Sequence, residues 1–438
     1  SILSSTSYDV RFRVLESGRL RDGQPSRPLP NRSIIAVTPI PPPTRIYLAR
    51  TLRDFADGFV ALLLPVYLAA RGFDALQIGL TATLALLGSA LTTLGIGMVG
   101  ARFGQRALLL FASALMAATG VAFASSDVVG LVLLIAFFGT INPSAGTVSI
   151  LVPLEHAVLA RTVADRDRTR AFAVYSLVGA LAAAVGALAA GSPAVLQRYG
   201  VSELGALQAM FGLYALLGVA AGLIYAGLPR DAPVVDAAGV VPTVAALGPS
   251  RGIVLKLAAL FSVDAFAGGF VVQSLLALWL FETHGLSLAS AGTFFFVAGL
   301  LAALSQPASA WLGARIGLVN TMVWTHIPAN LALIGAALAP NLRVALGLLL
   351  VRSLLSQMDV PARSSYVMAV VTPAERTAAA SFTSVPRSLA AALSPALAGA
   401  LYAAGYAALP LILAGVLKIG YDLALLWGFR HVRPPEEG

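Results

Sequence analysis

The chain has 438 residues, of which 58% are hydrophobic and only 11% charged, with a mean hydropathy of +0.85 and a net charge of +9. Soluble domains carry about 25% charged residues, so this chain lacks the polar surface a water-soluble fold needs, and lipid is the alternative solvent. The basic residues, 27 Arg with only Lys256 and Lys418, sit for the most part in a tail and in short loops between apolar runs, which marks membrane topology rather than a nucleic-acid footprint. Cysteine is absent, which excludes disulfides and thiolate metal sites.

The polar, Arg-rich stretch 1–44 ends in Pro39, Pro41, Pro42 and Pro43 and has no apolar h-region. A disordered cytoplasmic tail is expected there rather than a secretory signal. From Arg45 to Arg430 the chain reads as twelve apolar runs, at about 46–70, 75–100, 105–125, 128–160, 170–192, 206–228, 253–281, 287–312, 318–338, 343–371, 377–402 and 407–429. An apolar stretch of roughly 20 residues crosses the hydrocarbon core as a helix, so each run predicts one span. The longest connection, 229–252, holds Pro229, Pro233, Pro242 and Pro249 and divides the runs six and six. It separates an expected N-terminal bundle, 45–228, from a C-terminal bundle, 253–430, with a short cytoplasmic tail at 431–438.

With both termini inside, Arg102, Arg106, the cluster from Arg161 to Arg170, Arg230, Arg251, Arg315, Arg376, Arg430 and Arg433 all fall on the cytoplasmic side. The outer loops then keep only Arg71, Arg198 and Arg343. This is the positive-inside pattern, and it predicts a multi-pass protein of the cell membrane.

A charged side chain at mid-membrane costs about 2.5–3.5 kcal/mol even on the insertion scale, so such residues are candidates for function. Run 1 holds Arg50, Arg53, Asp54 and Asp57, with i,i+4 spacing that places Arg50 by Asp54 and Arg53 by Asp57. At 1.5 Å per residue, Asp57 lies roughly 16–18 Å inside. Run 4 carries Pro153, Glu155 and His156, and run 7 carries Asp264, which has no charged neighbour in sequence, and Gln273. Run 10 holds Arg352, Gln357, Asp359, Pro361 and Arg363, and run 11 holds Arg387. A carboxylate between apolar walls and a nearby Arg can have its pKa moved across physiological pH. Asp57 and Asp264, then Asp54 and Asp359, are therefore the proton-coupling candidates, unless they merely neutralise their Arg neighbours. Arg363, Glu155, Arg387, Gln357, Gln273 and Arg53 are the substrate-cavity candidates, with Glu155 equally placed to act as an inner gate near Arg161. His156 and His326 fit hydrogen-bonded structure better than titration.

The chain repeats itself. Residues 99–106, VGARFGQR, match 312–319, LGARIGLV, at an offset of 213. Residues 167–169, DRT, match 375–377, ERT, at an offset of 208, which also places Pro153 on Pro361 and Gly191 on Gly399. Two homologous six-span bundles in tandem have the same orientation and a pseudo-twofold axis along the membrane normal, an arrangement transporters use to hold a substrate between rocking halves.

The stretch Gly97-Met-Val-Gly100-Ala101-Arg102-Phe-Gly104-Gln-Arg106 resembles the G-x-x-x-D-R-x-G-x-R pattern between helices 2 and 3 of the major facilitator superfamily, with Ala101 in place of the family Asp. Its second copy holds Gly313, Arg315 and Gly317, with Ala310 for the leading Gly and Ala314 for the Asp. The resemblance covers the chain from Arg45 to Arg430. It implies an all-α integral membrane protein with twelve transmembrane helices in two pseudo-symmetric six-helix bundles. These Gly and Arg residues would then form an inner gate whose ion pair is weakened or rebuilt. It also implies that helices 4 and 10 line the cavity, with Pro153 and Pro361 freeing backbone carbonyls there. Gly179, Gly186, Gly191 and Pro193 in run 5 partly resemble the motif of the drug–proton antiporter branch, and equally suit small-residue helix packing.

The sequence lacks a Gly-x-x-x-x-Gly-Lys phosphate loop, His-Glu-x-x-His and Gly-x-Ser-x-Gly, which argues against an enzyme or an ATP-driven pump. A secondary transporter with alternating access is expected over a receptor or scramblase, with proton-coupled export of a small organic molecule ahead of transport of an organic or inorganic anion. No cofactor and no metal are expected, and each chain is expected to be a complete, monomeric unit.

Overall fold

The computed structural model describes residues 40–99, 103–126, 128–145, 149–164, 167–230, 247–372 and 375–432. The expected tail up to residue 39, most of the 229–252 connection and residues 433–438 lie outside the described residues. The first span is α1 (Pro42–Ala70), opened by prolines whose fixed φ suits a first helical turn. Spans two and three are α2 (Ala75–Val99) and α3 (Gln105–Ser125). Span four is two helices, α4 (Val129–Phe138) and α5 (Leu151–Thr162), and span five is α6 (Arg168–Ala189) followed by the short α7 (Ser192–Arg198). Span six, α8 (Glu203–Ala226), is capped by Ser202 Oγ accepting from Gly205 N.

The second set repeats the first. Span seven is α9 (Arg251–Gly269) and α10 (Gln273–His284), followed by α11 (Leu288–Ile316) and α12 (Leu318–Ala337). Span ten is α13 (Leu342–Leu355) and α14 (Asp359–Ala369), and α15 (Arg376–Ala403) and α16 (Leu409–Phe429) complete the twelve. Among the described residues, eight spans are long and apolar enough by length and composition to cross a membrane. The other four are α1 with its internal charges, the interrupted span four, α12 with Asn320, His326 and Asn330, and α15 with Arg387 and two internal prolines.

The twelve runs are all helical, but breaks inside several of them could not be seen as apolar periodicity. Pro153 is the third residue of α5 and Pro361 the third of α14. In the first turn a helix needs no N–H from Pro. The two prolines therefore start half-helices rather than freeing carbonyls inside continuous ones, as the resemblance had implied.

Packing is the same in both halves. Helix α1 packs on α6 and α8 as α9 packs on α15 and α16, and α3 packs on α8 as α12 packs on α16. Between the halves, α2 meets α15 and α6 meets α11, again as symmetry equivalents. Small residues set these approaches, as in other membrane bundles. A Cβ on Gly58 would lie 2.1 Å from Ala183 O and one on Gly186 2.1 Å from Phe55 O, so α1 and α6 are in backbone contact. A Cβ on Gly79 would lie 2.5 Å from Pro395 O, and Ala396 N donates to Thr83 Oγ1 at 2.9 Å.

The starts of α1 and α9 and the ends of α8 and α16 share one end of the bundle, called basal here. At the opposite, distal end one apolar core runs through both halves, joining Tyr67, Phe73 and Phe211 to Leu276, Trp279 and Phe294. At the basal end the halves keep separate cores, one around Ile46, Leu159 and Tyr225 and the other around Phe261, Tyr366 and Phe429. The halves are thus sealed together distally, and the cavity between them is closed at that end.

Candidate functional site

The cavity has a volume of about 730 Å³ and is lined by both halves. In the first half, Arg50 Nε lies 2.7 Å from Asp54 Oδ2, and Arg50 Nη1 donates to the Tyr175 hydroxyl at 2.8 Å. Both side chains face the cavity because Gly179 on α6 yields the space: a Cβ there would lie 2.4 Å from Arg50 Nε and from Asp54 Oδ2. Behind this wall, Arg53 Nη2 lies 3.1 Å from Asp54 Oδ1 and 3.1 Å from Glu155 Oε2. Glu155 also accepts from Tyr175 at 2.5 Å and from Tyr225. The i,i+4 partner expected for Arg53 was Asp57. Two carboxylates, Asp54 and Glu155, draw the guanidinium away instead. Asp57 hydrogen-bonds with Asn142, and its Oδ1 is buried without a partner.

In the second half, Asp264 gathers two cations and a histidine from three other spans. Lys418 Nζ lies 2.5 Å from its Oδ1, Arg363 Nη1 3.3 Å from its Oδ2 and His326 Nε2 4.0 Å from its Oδ1. Arg363 Nη1 also lies 2.9 Å from Asp359 Oδ2, and His326 Nδ1 lies 3.0 Å from Asp422 Oδ1. Arg352 on α13 and Arg387 on α15 are half-buried and line the cavity. Their Nε atoms have no hydrogen-bond partner, and neither forms an ion pair among the described residues.

Among the expected residues, Asp54, Asp264, Asp359, Arg363, Arg387, Gln357 and Gln273 line the cavity, while Asp57, Glu155 and Arg53 lie behind its wall. Glu155 and Arg363, equivalent by the repeat, belong to separate clusters, each closed within its own half. Lys418, Asp422, Tyr175 and Tyr225 were missed. Lys418 had a signal, as one of two lysines in the chain and the one in the middle of its apolar run rather than near its start.

Of the inner-gate residues, Gly100 and Arg102 lie outside the described residues. Gly97 is in the last turns of α2, Gly104 is the extended cap of α3, and Arg106 stands in the first turn of α3. Gly313 and Arg315 close α11, with the Arg315 guanidinium 4.0 Å from the Trp311 ring centroid. Gly317, at φ +85°, makes the left-handed turn into α12. At the same basal end Glu375, just before α15, accepts from Gly248 N, Ser250 N, Ser250 Oγ and Thr372 Oγ1. The Thr372 and Ser250 hydroxyls, with the backbone donors, hold its carboxyl down to about 2.

Two six-span halves around a charged central cavity define a membrane transporter rather than an enzyme. The chain belongs to the Major Facilitator Superfamily, whose family profile matches residues 46–358. It is 25% identical over 415 residues to the uncharacterized membrane protein YJR124C of Saccharomyces cerevisiae, covering 87% of this chain and 92% of the relative. Its fold is similar to a bacterial homolog of the human lysosomal transporter Spinster in an inward-facing and occupied conformation, with a TM-score of 0.69, 16% identity and coverage of 89% and 96%. It is likewise similar to a variant of the nucleoside transporter NupG, with a TM-score of 0.68, 14% identity and coverage of 89% and 100%.

Proposed function

We propose that the protein is a secondary transporter that moves a small organic anion by alternating access, with protons as the coupling ion. The observation behind this reading is the charge imbalance of the cavity. Arg50, Lys418 and Arg363 have Asp54, Asp264 and Asp359, whereas Arg352 and Arg387 face the cavity with no carboxylate at ion-pair distance among the described residues. In a low-dielectric cavity these two guanidiniums repel a cationic substrate and attract an anion.

The same cluster supplies a coupling route. Asp264 is the shared acceptor of Lys418 and Arg363. A proton placed on it releases Lys418 to a substrate anion and loosens Arg363, which keeps Asp359, so anion and proton travel together. Asp57, with one oxygen unpartnered, is the second proton candidate.

Export of drugs by antiport is less well supported. Gly186 of run 5 is taken up by the contact of α1 with α6, and Gly179 makes room for Arg50 and Asp54. The distal seal and the symmetry-related contacts α2–α15 and α6–α11 suit two halves that rock against each other. The distribution of Arg supports a cytoplasmic basal end in the cell membrane.

The test is a pH-sensitive dye trapped in proteoliposomes, with organic anions, cationic drugs and sugars added outside in turn. Anion-triggered acidification of the lumen, lost in Arg352→Gln and Arg387→Gln, is expected. Alkalinisation triggered by cationic drugs instead would restore the antiport reading.

A further inference from the structure

The cavity changes character along its length, in the same direction on each helix that contributes more than one turn to it. On α6, Tyr175 and Ser176 are basal, and Ala180, Ala183, Ala184 and Ala187 follow distally. Along span seven, Asp264 gives way to Gly268 and Gly269 on α9 and then to Val271 just beyond it. On α11, Gln306 is basal and Phe294 and Phe295 are distal. Arg363, Asp359 and Arg352 lie basal to Leu349 in span ten, and Arg387 lies basal to Ala391 on α15. Ser144 and Gln273 are the polar exceptions in the distal zone. From Tyr175 to Ala187, and from Gln306 to Phe294, the helical rise gives a depth of about 18 Å. The cavity is therefore a charged basal chamber under a long apolar distal pocket, which the seal between the halves closes off.

Resting on the anion reading above, we infer that the substrate is amphipathic: an anionic head group (carboxylate, sulfate or phosphate) drawn to Arg352 and Arg387, and an apolar body lying against Phe294, Phe295 and the α6 alanines. A small, fully hydrated anion uses only the basal chamber and leaves the apolar pocket unfilled. A bulky polar molecule must give up water against alanine and phenylalanine with almost nothing to replace it. An apolar tail suits the pocket, and the volume of about 730 Å³ falls in the range that takes drug-sized ligands.

The experiment measures binding of n-alkyl carboxylates, from acetate to dodecanoate, to the purified protein in lipid nanodiscs, with empty nanodiscs subtracted. Affinity is expected to rise roughly fourfold per added methylene and to stop rising when the chain outgrows the pocket. An alkyltrimethylammonium of equal length is expected to bind at least tenfold more weakly, and Arg352→Gln with Arg387→Gln should erase that preference. Ala184→Ser and Phe295→Ser should each flatten the length dependence; the first is a small change that keeps the test valid if the second fails to fold.

A flat length series with arginine-dependent binding of short anions overturns the amphipathic substrate and leaves the anion reading standing. A length series unchanged in both serine variants also overturns it. Equal binding of carboxylate and ammonium in the unaltered protein overturns both.

Discussion

Lys418 Nζ lies 2.5 Å from Asp264 Oδ1, which ties the last span to the first span of its own half across 154 residues of sequence. Both side chains are buried, and the same carboxylate also faces Arg363. Removing one member of a buried ion pair leaves the other charge uncompensated, a loss of about 3–5 kcal/mol. The two members are not equivalent here. Lys418→Met leaves Asp264 with Arg363, whereas Asp264→Asn deprives Lys418 and weakens Arg363 at once. Asp264→Asn is expected to lower the thermal midpoint of the purified protein more than Lys418→Met, and the double variant to be less damaged than Asp264→Asn alone. The measurement is thermal unfolding followed by intrinsic fluorescence. A double variant as unstable as the sum of the two singles would show that the pair is not coupled.

The Glu155 cluster makes a contrasting case. Glu155 is fully buried behind the cavity wall, where it pairs with Arg53 and accepts from Tyr175 and Tyr225. Because it does not reach the cavity, Tyr225→Phe should act on stability and not on substrate affinity. Loss of one hydrogen bond to a charged group corresponds to about 1.5–3 kcal/mol. Transport kinetics on the folded fraction should show an unchanged KM. A raised KM at full stability would place Glu155 in substrate recognition instead.

Outside the spans, Glu375 links the segment before α9 to the loop before α15 through Gly248, Ser250 and Thr372. Its carboxyl is held down to about 2 from an ordinary value of 4.5, first by the Thr372 and Ser250 hydroxyls. A carboxyl lowered on folding stabilises the protein above its unfolded pKa and loses that contribution as pH falls toward its folded one. The stabilising effect of Glu375 is thus complete above about pH 5 and disappears between about pH 4.5 and 2. Glu375→Gln should lower the thermal midpoint at pH 7, with the gap to the unaltered protein shrinking steadily as the pH is taken below 4. A gap independent of pH would mean that the amide loses something other than the charge.

The features legible in the sequence are those encoded locally. Twelve apolar runs became twelve spans, and the offset of 208 residues anticipated the equivalence of Pro153 and Pro361, each the third residue of its half-helix. Residues placed by their depth and charge, such as Asp264, Arg363 and Arg387, do reach the cavity. The partners of those charges were not legible, because they come from distant spans: Tyr225 reaches Glu155 across 70 residues, and Lys418 reaches Asp264 across 154. Local spacing even misdirected the pairing of Arg53, since an i,i+4 rule counts neighbours on one helix and not a carboxylate arriving from α5. The breaks in spans four, seven and ten were hidden for a related reason. In span seven the half-helices are joined by Phe270, Val271 and Val272, which have the composition of a continuous apolar helix, whereas the more polar joins at 139–150 and 356–358 were absorbed into the long apolar runs around them.

If the two halves rock as proposed, the strongest demand falls on the contact of α2 with α15. A Cβ on Gly79 would lie 2.5 Å from Pro395 O and 2.9 Å from Gly399 Cα, so this distal contact tolerates no side chain. Gly79→Val must push α15 away from α2 at the end where the halves are now sealed. If the transport cycle consists of opening that seal, the variant should shift the population toward the distally open state. Because the chain contains no cysteine, a single introduced thiol reports without background. Ser274→Cys places it in the seal, where Ser274 is buried and its backbone N–H donates to Pro143 O across the two halves at 3.1 Å. A membrane-impermeant maleimide should label Ser274→Cys slowly on its own and several-fold faster when Gly79→Val is added, with the proposed substrate anion shifting both rates. Equal, slow labelling with and without Gly79→Val, in protein that still binds substrate, would show that the α2–α15 contact is fixed through the cycle and that the halves do not part along it.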